Sequence, residues 1–215
     1  MIPIHLDPAQ TRIGLVGRGT LTVRRLAWFQ GLGTTPLIYS DRPEPELVAA
    51  AGSDLIARLP NADDLAALQL MWVADLEPAE AELLGAAARA AKVLLNTEDV
   101  LPLCDFHTPA IVRRGRLVLS AGTGGGSPAA ASYVRERLTA AFPEAWAEML
   151  ETLTAERLEQ KRAGASMAEM RQAAFEKLVA TFGPPDPSAS NQGRTSKAST
   201  IPPLGDWTQA VFTRP

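Results

Sequence analysis

Residues 17–22, Gly-Arg-Gly-Thr-Leu-Thr, follow a short apolar run and open a helical pattern. At a strand–turn–helix crossover, a first glycine permits the tight bend and a second lets the backbone approach a pyrophosphate. A third small residue allows the helix to pack close to the strand. Gly17 and Gly19 fill the first two places, and Thr22 stands at the third. Asp41 lies 22 residues past Gly19, just beyond the next apolar run, where a carboxylate would accept from ribose hydroxyls. A plain β-turn-α could use the same glycines for geometry alone.

Two further constellations carry chemistry. Asp99 follows the apolar run ending near Leu95, and open α/β sheets place ligand chemistry just beyond the carboxyl ends of their strands. Asp99 could equally be a turn-former, or the cap of a short helix over residues 100–104. Glu98 is beside it, and two carboxylates facing the same way would raise one pKa. Further on, Thr123, Gly124, Gly125 and Ser127 lead into Pro128. Serine before proline is a strong helix start, and the free amides and positive helix end behind it suit an anion. Arg113, Arg114 and Arg135 are candidate clamps for that anion; the bland reading of the turn is a glycine hinge. His107 is an isolated imidazole, with only His5 elsewhere and a single cysteine, Cys104, so no dedicated metal site is expected.

The elements that must position these residues alternate. Strands are predicted over 12–16, 36–39, 54–59, 69–74, 93–95 and 116–120, and helices over 21–32, 46–51 and 79–91. Short apolar strands separated by helices imply a parallel sheet with helices on both faces. A helix follows Pro128. Trp146, Met149, Leu150 and Leu153 recur at helical spacing within 144–162, as a packing or dimer face. Ser166 and Glu169 form a capping box for a last helix carrying Met170, Ala174, Leu178 and Phe182. The expected class is therefore α/β: a Rossmann-like domain over 1–112, a small dimerisation and substrate segment over 113–143, and a helical region over 144–182. A flexible tail is expected over 183–215, where 6 of the 17 prolines fall.

The 215 residues are 46% hydrophobic, enough to bury a core, and no run is long and apolar enough to span a membrane. The start of the chain has no signal-peptide pattern, and the lone cysteine fits a reducing cytoplasm. A net charge of −3 disfavours nucleic acid as a partner. Between Arg113 and Arg137, however, five arginines meet one acid, Glu136, which suits a small polyanion.

Residues 95–138 carry an Asn and Asp after a strand, then CDF, PA, RRG, a short strand, a Thr/Gly run, and SP opening a helix. In this pattern the chain resembles the precorrin-2 dehydrogenase family, which includes the N-terminal domains of siroheme synthases. The likeness covers roughly residues 10–182. It implies NAD as cofactor, lined by Thr20, Leu21, Asp41 and Arg42 besides the glycines, and Asp99 as the catalytic acid-base group. It further implies a carboxylated tetrapyrrole held by the Thr123–Ser127 turn and the arginines, and a homodimer interleaved through residues 112–150. Some members also insert ferrous iron. The family pattern has three consecutive glycines at 17–19, alanine at 22, a small polar Thr-Asp pair after the fourth strand and a frequent asparagine at 81. This chain departs from it with Arg18, Thr22, Asp75 and Ala81. Two other readings follow from those departures: a chelatase or other tetrapyrrole enzyme without NAD, and a non-catalytic tetrapyrrole-binding dimer.

Overall fold

The computed structural model describes residues 2–185, so most of the proline-rich stretch read as a tail lies outside the described residues. The chain divides into two compact units, one ending at Trp146 and the other starting at Ala147.

In the first unit, β1 (Ile13–Val16), β2 (Leu37–Tyr39), β3 (Leu55–Ile56), β4 (Leu70–Val73) and β5 (Leu94–Thr97) form one parallel sheet in the order β3-β2-β1-β4-β5. Successive strand residues serve opposite faces, as a two-residue period requires. Leu15, Ile38, Leu70 and Trp72 pack with Leu26 and Phe29 of α1 (Thr20–Gly31) and Leu47 of α2 (Pro45–Ala51). Val16, Tyr39, Met71 and Val73 pack with Leu65 of α3 (Ala62–Ala67) and Leu84 and Ala88 of α4 (Pro78–Ala90). The chain thus winds outward from β1 on one face and from β4 on the other. The switch falls between those two strands, the place where such sheets bind ligands.

The third strand is shorter than the predicted 54–59, because a 3₁₀ turn over Gly52–Asp54 enters it and the backbone leaves after Ile56. The helix α3 was not predicted. Asn61 starts it by accepting from the Asp64 amide (2.9 Å), while Asp64 accepts from the Asn61 amide (2.7 Å). Arg58 also pairs with Asp64.

After the sheet, β6 (Ala110–Arg114) and β7 (Leu117–Ala121) form an antiparallel hairpin turning at Gly115, whose φ of 56° is the left-handed conformation glycine tolerates. This hairpin crosses the predicted domain boundary at 112/113, since β6 was not anticipated as a strand. Ser127 then caps α5 (Pro128–Ala141) as read from the sequence, accepting from the Ala130 amide. Helix α6 (Ala145–Arg162) begins at the end of this unit and continues into the second. There it is followed by α7 (Met167–Phe182), which opens with the expected Ser166–Glu169 capping box and pairs Lys177 with Glu156 of α6. Among the described residues no helix is long and apolar enough to cross a membrane.

The hydrogen bonds from Arg58 and the Asn61 amide hold the Asp64 carboxyl down to about 2. A depressed carboxyl stabilises the fold fully above its unfolded pKa near 4, and that stability disappears as pH falls through the folded value. Asp64→Asn is expected to remove part of the acid limb of the stability curve between about pH 4 and 2. The amplitude should be about 1 kcal/mol, the size of a helix cap, measured by urea unfolding at each pH.

Candidate active site

At the switch point the turn after β1 meets the turn after β4. A Cβ on Gly17 would collide with Thr22 Oγ1 and the Ala74 carbonyl oxygen, so only glycine allows this approach. Asp75 Oδ2 then reaches across to the start of α1. It accepts from the Gly19 amide (3.1 Å), the Thr22 amide (2.8 Å) and Thr22 Oγ1 (2.8 Å). Three donors thus converge on one anionic oxygen at a helix N-terminus, where backbone amides and the helix dipole favour negative charge. The Asp75 backbone adopts φ 53° to place it there.

Arg18, beside this turn, is buried. Its Nε and Nη2 donate to both oxygens of Asp41 (2.8 and 2.9 Å), and Nη1 and Nη2 donate to Glu80 (2.5 and 3.0 Å). Arg42 joins the cluster through Glu80 (2.9 Å) and lies 3.4 Å from Asp41. The Arg18 guanidinium holds the carboxyls of Asp41 and Glu80 below their usual range, and Glu80 with Asp41 raises Arg18 in turn. Thr20 is exposed and Leu21 half-buried at the head of α1. The family departures are therefore coupled: Thr22 partners Asp75, and Arg18 partners the very acid expected to meet a ribose.

One strand over, Asp99 occupies the turn after β5, and among the described residues its side chain makes no hydrogen bond or ion pair. Its φ is 60°, a left-handed conformation costly for a residue with a Cβ. Glu98, beside it, pairs with Arg25 (2.7 Å). The following segment is buckled back onto β5. Asp105 donates its amide to the Leu95 carbonyl (2.7 Å) and accepts from the Leu95 amide (3.0 Å) and from Arg89. Asn96 donates to the Phe106 carbonyl (2.8 Å), Cys104 donates its thiol to the Thr97 carbonyl (3.2 Å), and burial pushes that thiol's pKa up. Phe106 packs edge-on against Trp72, and Trp72 Nε1 donates to Thr108. The CDF motif is thus a fastening for the Asp99 turn.

The glycine turn lies against this segment. A Cβ on Gly125 would sit 2.6 Å from Leu101 Cδ2 and 3.5 Å from His107 Cε1. Thr123 Oγ1 accepts from the Ser127 amide and donates to its carbonyl, closing the loop. Thr123, Gly124 and Gly125 are exposed, and Ser127 is half-buried. Arg113 is exposed on β6. Arg114 is committed elsewhere: it donates to the carbonyls of Phe142 (2.7 Å) and Arg113 (2.9 Å) and pairs with Glu144 (3.1 Å). Its guanidinium secures the end of α5, which takes it out of the set of free clamps. Glu80, Asp105 and Arg25 were missed by sequence reasoning. The signal that could have exposed Glu80 is Arg18 itself, a long cation in a tight glycine turn that must find carboxylates.

A parallel sheet in the order 3-2-1-4-5, with a glycine turn and helix N-terminus at its switch point, defines a Rossmann-type nucleotide-binding domain. Residues 4–110 match the family model described as putative NAD(P)-binding. The siroheme synthase of Xylella fastidiosa (strain M12) is 28% identical over 184 residues, covering 84% of this chain and 38% of that protein. The siroheme synthase of Methylococcus capsulatus (strain Bath) is 27% identical over 203 residues, covering 93% and 42%. The solved structure of SirC, precorrin-2 dehydrogenase, superposes with a TM-score of 0.66 at 20% identity over 85% of this chain and 92% of that one, a likeness of fold. The chain is similar to both siroheme synthases over most of its own length, and to SirC in fold. It spans about two fifths of the length of these two siroheme synthases.

If Asp105 is the fastening, Asp105→Ala should cost about 1–3 kcal/mol, the range for leaving a buried amide unsatisfied. Asp99→Asn should leave the melting temperature nearly unchanged, because its side chain holds nothing. Paired thermal melts check the contrast.

Proposed function

We propose that this protein oxidises precorrin-2 to sirohydrochlorin with NAD as the electron acceptor, in the cytoplasm. The observation that carries the reading is the placement of Asp99. It is an uncommitted carboxylate in a left-handed turn, one strand from a preformed anion cradle. Val73 and Thr97 are register partners, so Asp75 and Asp99 stand at equivalent positions two residues beyond them.

The donor set fits a dinucleotide. Asp75 Oδ2 acts as a stand-in for a phosphate oxygen and marks where the Gly19 and Thr22 donors converge. With the stand-in displaced, Gly17, Gly19, Thr20 and Leu21 would hold the pyrophosphate end, and Asp41 and Arg42 the adenosine ribose. NAD when bound supplies a hydride acceptor. Asp99 removes the proton that leaves the ring system in the same oxidation. The Thr123–Ser127 turn and Arg113 receive peripheral carboxylates of the macrocycle, beside His107. A homodimer completes the reading: no residue of α5 is buried, and Tyr133 and Val134 on it are exposed.

A second reading is favoured by one observation, that the cradle and Asp41 already hold internal partners. It is a chelatase, or an enzyme for another tetrapyrrole, that does not use NAD and takes ferrous iron as substrate. A non-catalytic tetrapyrrole-binding dimer explains less, since it has no use for a strained, unpaired Asp99.

The test is an anaerobic assay with precorrin-2, with and without NAD, followed by sirohydrochlorin absorbance. NAD-dependent turnover should fall at least about 100-fold in Asp99→Ala, the usual scale for losing a proton-transfer group, while the variant still binds tetrapyrrole. Tetrapyrrole binding with no NAD-dependent change would favour the second reading, and iron insertion under the same conditions would select it.

A further inference from the structure

We infer that Asp75 is an internal competitor for the dinucleotide: its carboxylate keeps the pyrophosphate cradle filled, and NAD binds only by displacing it. The inference rests on the proposed dinucleotide site and adds a residue that sets its affinity.

The geometry carries it. All three donors that converge at the head of α1 are spent on one oxygen of Asp75, at 2.8 to 3.1 Å. A phosphate oxygen at that point would need the same donors, so both anions cannot be accommodated. Hydrogen bonds to an ionised acceptor are the strong kind, and the cradle is paired with its own carboxylate rather than waiting for a ligand. A second carboxylate guards the approach: a Cβ on Gly19 would meet Glu44 Oε1 at 2.9 Å, so Glu44 lies where a pyrophosphate would pass the second glycine. Arg18, between the two glycines of the turn, does not oppose this, because it gives its donors to Asp41 and Glu80.

Two replacements of Asp75 suit its backbone. Its φ of 53° is one that asparagine tolerates and glycine prefers. Asp75→Gly empties the cradle, and Asp75→Asn keeps an acceptor while removing the charge.

The experiment is isothermal titration of the whole 215-residue chain and both variants with NAD, and separately with inorganic pyrophosphate, with thermal melts as the control for folding. Asp75→Gly is expected to bind both ligands at least tenfold more tightly than the unmodified protein, with Asp75→Asn in between. Equal or weaker binding of NAD by a folded Asp75→Gly, when the unmodified protein binds it, would overturn the competitor role and leave the dinucleotide site standing. Failure of every folded form to bind NAD would remove the dinucleotide site and the competitor together.

Discussion

An anionic oxygen seated on the first turn of α1 is the interaction around which this domain is arranged. The helix needs an acceptor there, because its leading amides have no partner within the helix. In this chain Asp75 supplies one from the turn after β4, tying together the two crossovers that part at the switch point. Arg18 then lies in a buried position where only charge pairing makes a guanidinium tolerable, and Asp41 and Glu80 flank it from β2 and α4. Three of the four departures from the family pattern are thus compensated within the chain. Thr22 adds a hydroxyl because Asp75 is there to receive it, and Arg18 is accommodated because two carboxylates surround it.

The far side of the site follows a different logic. The chain must leave β5, turn back and run along the sheet before entering the β6–β7 hairpin. Asp105, Asn96 and Cys104 pin that return to the backbone of Leu95, Phe106 and Thr97, and Phe106 anchors it on Trp72. With both ends pinned, the tip holds Asp99 in a conformation its side chain disfavours. Strain of this kind persists only where the surroundings over-determine it.

Much of the architecture was legible because it rests on local signals. Short apolar runs marked β1 and β4, Ser127-Pro128 marked the start of α5, and Ser166 with Glu169 marked α7. The helix α3 escaped notice because it is six residues long and its cap, Asn61 with Asp64, gives no hydrophobic period. The strand β6 was hidden by its arginines, and its hairpin became visible only through Gly115. In the site, the glycines, Asp41, Asp75 and Asp99 were all picked out from the sequence. Their partners were not, because Arg18 meets Glu80 across 62 residues and Thr22 meets Asp75 across 53, distances that only the strand order closes. The contacts of Arg114 with Phe142 and Glu144 were hidden for the same reason: residue type announces a clamp, and contact decides what is clamped.

The strand order also makes one comparison possible that neither motif offers alone. Asp75 and Asp99 follow register partners on adjacent strands, and both take left-handed φ values, 53° and 60°. Neighbouring strands lie about 4.8 Å apart, so the two turns open side by side on one edge of the sheet, well within the width of a macrocycle. One acid is bound inward by three donors, and the other has no partner among the described residues. The proposed oxidation takes a hydride and a proton from one ring system, and it would draw on a dinucleotide held at the first turn and on Asp99 at the second. The two acids leave adjacent strands at matching register, and among the described residues only Asp75 of the two has its carboxylate satisfied.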